Sequence, residues 1–399
     1  MNPLLSAEQA LIGSVLLDPR QLSHLDWLAP DHFYLPAHQA LFAALRTLRD
    51  DAHPALSQEP VPLSWVSDAV EAASTHTRGL TATYAHTLVA ACPRPAHAPV
   101  YGRMVLEGAI HRSITEHATR LHQAARADAL QGEVEQALHY ADVLAGVLSD
   151  LAQRWGTEPR PATPTIPPTT VPAAPAPVLA DQAAEDERLL LAVLAEEPKA
   201  MDGVVGWLRP GDFADPAHGQ LYRCLGALHH RGEPIDRVTL LWEAQRRGLL
   251  ADGTLSGDQF TAICDGVGPG SAEWLGELVM RSSVTRTAAT SARDIRALAQ
   301  NEALAPGPLI GHALHALGRL DEVRARWQAA NGGPASTPTA PAPSPIGPPS
   351  TQVHAALARS TPPAFTPSLG RPRAATSPAA VPPLSRGQAS EKQRRQFVR

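Results

Sequence analysis

The side chains able to carry chemistry in these 399 residues are 17 histidines, three cysteines and a few adjacent carboxylates. His111, His117 and His122 fall along one predicted helix at separations of six and five, which miss the i, i+4 spacing that aims two imidazoles at one metal. Cys92, Cys224 and Cys264 form no CxxC pair and would leave one thiol over, so neither a zinc ribbon nor a disulfide framework is expected, and a reducing cytoplasmic compartment fits. Asp50-Asp51 and Glu196-Glu197 fall at helix ends or turns, where paired carboxylates are solvated, and no serine sits in a nucleophile elbow. The two lysines, Lys199 and Lys392, do not follow glycine, so no Gly-x-x-x-x-Gly-Lys-Ser/Thr loop can cradle a phosphate. His38 and His218, each two residues after a proline, read as buried or capping groups that fix a local turn. The expectation is a chain without catalytic residues, cofactor or metal.

Charge points to one other chemistry. From position 334 onward eight basic residues face Glu391 alone, a net +7; against the chain's 34 basic and 39 acidic residues, this leaves −12 for the remainder. Lys392, Arg394, Arg395 and Arg399 in the tail are the candidate nucleic-acid contacts, with Phe397 placed to stack on a base. Such contact would be weak, indifferent to sequence and steeply salt-dependent. The simpler reading is a solvated tail whose charge complements an acidic body.

These residues need a scaffold, and composition shows where it lies. A Pro/Ala/Thr-rich stretch at 157–181 and a Pro/Ser/Ala-rich one at 332–399 bury too little apolar surface to offset the entropy of ordering. They read as a flexible linker and a disordered basic tail. The N-terminal segment has no basic leader and its apolar run carries Glu8 and Gln9, so it reads as neither signal peptide nor membrane span. Two folded blocks remain, 1–156 and 182–331.

The blocks repeat one another. EQALIGSVLLDP at 8–19 matches ERLLLAVLAEEP at 187–198 with an offset of 179. With one residue inserted, Trp27, Leu28, Pro30, Phe33 and Pro36-Ala37-His38 match Trp207, Leu208, Pro210, Phe213 and Pro216-Ala217-His218. Leu41, Phe42, Leu45 and Leu48, answered by Leu221, Tyr222, Leu225 and Leu228, form one helical stripe. Further on, Ile110, Ile114, Ala118 and Leu121 are answered at an offset of 174 by Val284, Ala288, Ala292 and Ile295, implying a long helix with an apolar seam in each block. A second amphipathic helix closes each block after a turn containing Gly132, or Pro306-Gly307-Pro308, so each block ends in an antiparallel hairpin. No stretch alternates with period two. The fold class is all-α.

The glutamate opening each first helix (Glu8, Glu187), the Asp31-His32-Phe33 and Asp212-Phe213 elements, His38 and His218, and the run GEPIDRVTL at 232–240 together resemble the N-terminal domain of DnaB-type replicative helicases. The resemblance covers nearly all of both blocks, although the first has Pro60-Val61-Pro62-Leu63-Ser64 where the second keeps Pro-Ile-Asp-x-x-Thr. It implies a helical head followed by a hairpin, a domain that self-associates, stacks as a collar on the motor ring and helps bind primase. The RecA-type motor that would follow in a helicase has no phosphate loop here.

From the resemblance, the expected role is that of an adaptor or regulator in DNA replication, with a replicative helicase or primase-like protein as partner and no membrane. Expected interaction residues are the hairpin seams, Ile110, Ile114, Leu121, Val284 and Ile295, with Trp155 and Trp327 as aromatic anchors; Trp27, Trp207, Phe33 and Phe213 read as core. Two linked copies of a self-associating domain would also pair with each other, because a flexible linker of about 25 residues reaches roughly 25 to 30 Å and raises local concentration to about millimolar. The alternative function is a nucleic-acid-binding protein whose helical blocks only present the tail.

Overall fold

A computed structural model describes residues 2–75, 77, 79–163, 177–266 and 270–331. Among these every regular element is helical. The first copy runs α1 (Pro3–Leu17), α2 (Pro36–Asp50), α3 (Leu63–Ser74), α4 (Ala82–Ala91), α5 (Ala98–Gln131) and α6 (Glu135–Trp155). The second runs α7 (Pro177–Glu196), α8 (Met201–Val204), α9 (Pro216–Arg231), α10 (Arg237–Arg246), α11 (Gly257–Cys264), α12 (Ala272–Gln300) and α13 (Pro306–Ala330). Both copies belong to one compact unit, Met1–Thr337.

Local chemistry sets the helix ends. The Asn2 side chain accepts the backbone N–H groups of Leu4 and Leu5 at the start of α1, and Asp215 does the same for Ala217 at α9. Pro36 and Pro216 occupy the first position of α2 and α9, where a missing N–H costs nothing. Gly132 closes α5 at φ +71°, a left-handed conformation that other residues adopt at a cost, and lets the chain reverse into α6.

In each copy the short helices form a head. Its core in the first copy is Leu11, Ile12, Val15, Phe33, Leu41, Phe42, Leu45 and Trp65, all at most 1% exposed, and the Trp65 indole donates to the Val15 carbonyl at 3.1 Å. Fully burying one such side chain is worth about 1.5–3 kcal/mol, so each amphipathic stripe outweighs weak helix propensity. The hairpins α5/α6 and α12/α13 are longer; at 34 residues α5 extends roughly 50 Å.

The boundaries differ from the sequence reading. α7 begins at Pro177, ahead of the block boundary expected at 182. At the other end of the linker, Ala162 donates its N–H to the Gly311 carbonyl at 2.9 Å, so residues expected to be free lie against α13. Proline content hid this, because a main-chain hydrogen bond to a neighbouring helix leaves no compositional trace. Residues 164–176 and the tail, with Lys392, Arg394, Arg395, Arg399 and Phe397, lie outside the described residues.

Candidate interaction interface of the paired hairpins

The seam residues face into the molecule. Ile110, Ile114, Ala118 and Leu121 on α5 and Val284, Ala288, Ala292 and Ile295 on α12 are all fully buried. Helix α5 packs along α12 while α6 packs against α13, so the hairpins of the two copies form one four-helix assembly. The expected interaction seam is thus occupied by the chain itself and offers no open surface to an outside partner.

Polar contacts fix the register of this pairing. His111 on α5 places Nδ1 2.8 Å from the Ala299 carbonyl and Nε2 3.0 Å from the Leu304 carbonyl, at the end of α12 and in the turn that follows. Arg324 on α13 donates to both carboxylate oxygens of Asp142 on α6, at 2.5 and 3.0 Å. This bidentate geometry gives orientation as well as attraction. His122 lies 3.4 Å from the Ala289 carbonyl, and burial lowers its proton affinity, opposed by that carbonyl and reinforced by Arg296, Arg293 and Arg126.

A second construction, present in both copies, joins each head to its own turn. Glu8 and His38 are wholly buried; the Glu8 carboxylate accepts the N–H groups of Tyr34 and Leu35 and pairs with His38 Nδ1 at 2.7 Å. Glu187 does the same for Ala214, Asp215 and His218 Nδ1, the last at 3.0 Å. In the first copy His38 Nε2 also meets the Tyr84 hydroxyl at 2.7 Å. Burial, followed by the nearby Glu8 charge, pushes the Tyr84 phenol above its usual range. The carboxylate thereby satisfies orphan amides ahead of α2 and α9, so the glutamates do the capping, while His38 and His218 are buried, as expected, and hold those carboxylates. Sequence reading had both residues of each pair and missed the pairing, because about 30 positions separate them.

A third construction differs between the copies. In the second, the buried Asp212 carboxylate accepts from the Arg209 N–H at 2.8 Å, from the Ser283 hydroxyl at 3.1 Å and from Arg326, while Arg286 donates to the Asp212 carbonyl at 2.6 Å. The corresponding residue in the first copy is His32. Its Nδ1 accepts the Ala29 N–H at 3.1 Å, Arg112 donates to its carbonyl at 2.6 Å, and Nε2 stands 3.3 Å from Arg154 Nη1. Burial lowers the proton affinity of His32, with Asp31 and Asp150 opposing and Arg154 and Arg112 adding to the effect.

The aromatic residues sort differently from expectation. Phe33 and Phe213 are core, but Trp27 is 45% exposed. Its indole donates to the His24 carbonyl at 2.9 Å and its ring edge covers Gly102, as Trp207 covers Gly276 in the second copy. A Cβ at either glycine would lie 3.2 Å (Gly102) or 2.6 Å (Gly276) from that ring, so the pairing of tryptophan with glycine is steric. Trp155 is half-buried beneath the Arg103 guanidinium, 4.3 Å from its ring centre. Trp327 is also half-buried. Apolar exposure unforeseen from the sequence lies on α10, where Val238 (75% exposed), Leu241 and Trp242 (62%) share the outer face.

Two segments of the chain, 1–107 and 180–259, match the family model of the DnaB-like helicase N-terminal domain. Each copy thus contains a segment similar to this domain. Similar proteins include the replicative DNA helicase DnaB of Mycobacterium leprae, 33% identical over 144 residues, 34% of this chain and 22% of that helicase. The DnaB helicases of Geobacillus stearothermophilus (32% identical, 30% of this chain, 25% of the helicase) and Treponema pallidum (33%, 33% and 28%) match comparably. The chain thus spans only about a quarter of the length of these relatives. No solved structure matches it. Among the described residues no helix is long and apolar enough to cross a membrane.

Proposed function

We propose that this chain is a non-catalytic interaction protein, an adaptor or regulator that acts on a replicative helicase or its primase through paired DnaB-like N-terminal domains. The observation that carries this reading is the packing of α5 on α12: the surface by which such domains would associate is already satisfied by the second copy. The chain is therefore a monomeric pseudo-dimer, and its partner contacts use surfaces outside the seam, among them the exposed face of α10. The sequence supports the non-catalytic part, since neither lysine stands in a phosphate loop.

Binding of the purified full chain to the replicative helicase and primase of its own organism tests the role. Saturable binding to either is expected. Absence of binding to both would overturn it, as would saturable ATP binding by this chain alone. Truncation before position 334 should leave the protein contacts intact; loss of all binding together with DNA affinity would favour the tail as the functional element.

A further inference from the structure

We propose that the turn Pro30–His32 is an acid-sensitive latch between head and hairpin in the first copy, with no counterpart in the second. The latch follows from the number of protons a neutral imidazole can carry. It holds one N–H. Because the Ala29 N–H donates to Nδ1, the ring proton sits on Nε2, and Nε2 faces Arg154 Nη1 at 3.3 Å, itself a donor. Moving the proton to Nδ1 would satisfy Arg154 and strand Ala29 instead. Neither tautomer satisfies both neighbours, and the doubly protonated ring satisfies neither.

The second copy shows what the same place holds when the conflict is absent. Arg286 and Arg326 stand where the first copy has Arg112 and Arg154; Arg286 donates to the Asp212 carbonyl as Arg112 does to that of His32, but an aspartate carboxylate meets Arg326 and accepts the backbone N–H of Arg209 as well. Ser283, which adds a further bond to that carboxylate, is answered by Ala109.

The charged groups facing His32 are Arg112 from α5, Arg154 and Asp150 from α6, and Asp31 from its own turn. Asp31 Oδ1 is 3.9 Å from Nε2, but its side chain is 80% exposed while that of His32 is 7% exposed, so water rather than the ring takes most of its charge. Asp150 is engaged with Arg154 at 2.9 Å. A second proton on the ring therefore brings a positive charge into a buried site beside two guanidinium groups and breaks the Ala29 bond. Acid should loosen the turn from α5 and α6 in one copy only, giving a symmetric pair of domains an asymmetric response to pH.

The test is hydrogen exchange of the Ala29 and Arg209 amides in the full chain between pH 7.5 and 5.0, read as their ratio so that the common chemistry of exchange cancels. Protection of Ala29 should fall relative to Arg209, by up to roughly tenfold per pH unit where the open form is protonated and the closed form is not. In His32→Asp, which installs the residue of the second copy, the two amides should keep a constant ratio. A ratio independent of pH in the native chain, or an acid response that survives in His32→Asp, would overturn the proposal.

Discussion

At the scale of residues, the buried Glu–His pairs are the strongest polar features. Glu8 and Glu187 were expected to open their helices and His38 and His218 to be turn residues, but both glutamates lie inside α1 and α7, which start at Pro3 and Pro177, and their partnership with the histidines depends on how those helices cross the following turn, which no local pattern records. Replacing Glu8 with alanine leaves two backbone amides and His38 without their acceptor inside the core. The cost should be about 3 kcal/mol, measured as a lowered denaturation midpoint in urea, and Glu187→Ala should behave alike. Cys224 offers a prediction in pH. Burial pushes its thiol up to about 11, with Arg247, Arg223 and Arg231 pulling it down and Glu243 up. In the native chain it should stay unlabelled by iodoacetamide at pH 8, when a denatured sample labels readily. Because its folded value lies above the ordinary thiol value of 9.0, the stability linked to it is complete below pH 9 and declines as pH rises toward 11.

At the scale of elements, the periodicity of the long helices was legible, whereas the short helices α3, α4, α8, α10 and α11 were not placed from the sequence. The stripes of α2 and α9, the long seams of α5 and α12 and the reversal at Gly132 all lie where the residue spacing puts them, because amphipathic spacing is a local property. What covers a helix is not local. Trp27 was expected in the core since it recurs with Trp207, yet recurrence here reflects a ring edge laid over a glycine of the hairpin, with much of the indole left in solvent. Gly276→Val forces the Trp207 ring aside and should cost roughly 1–3 kcal/mol, seen as a lower melting temperature, whereas glycines with open space around them, such as Gly318, should tolerate alanine with little change. The outer face of α10 left no mark in the sequence, because the helical spacing of Val238, Leu241 and Trp242 is the same whether the stripe they form is buried or exposed. Trp242→Ala should leave stability within about 0.5 kcal/mol, as an exposed substitution does, while weakening binding to the purified helicase or primase at least severalfold.

At the scale of the whole molecule, duplication was the most legible property and its consequence the least. Two offsets, 179 and 174, reveal two copies, and the composition of 157–181 suggests a tether between them. That α5 and α12 bury their seams in one another rests on contacts between residues far apart in sequence, such as His122 with Ala289, 167 positions away, and His111 with Ala299, 188 away, which appear only when the fold is complete. The seam then ceases to be a surface for others and becomes the core that unites the copies. The pairing of α5 with α12 is internal to one chain. Light scattering on the purified full chain across roughly 1–100 μM should give one mass near 42.3 kDa at every concentration. A dimer or hexamer that persists on dilution would mean that the hairpins pair between chains, and would contradict it.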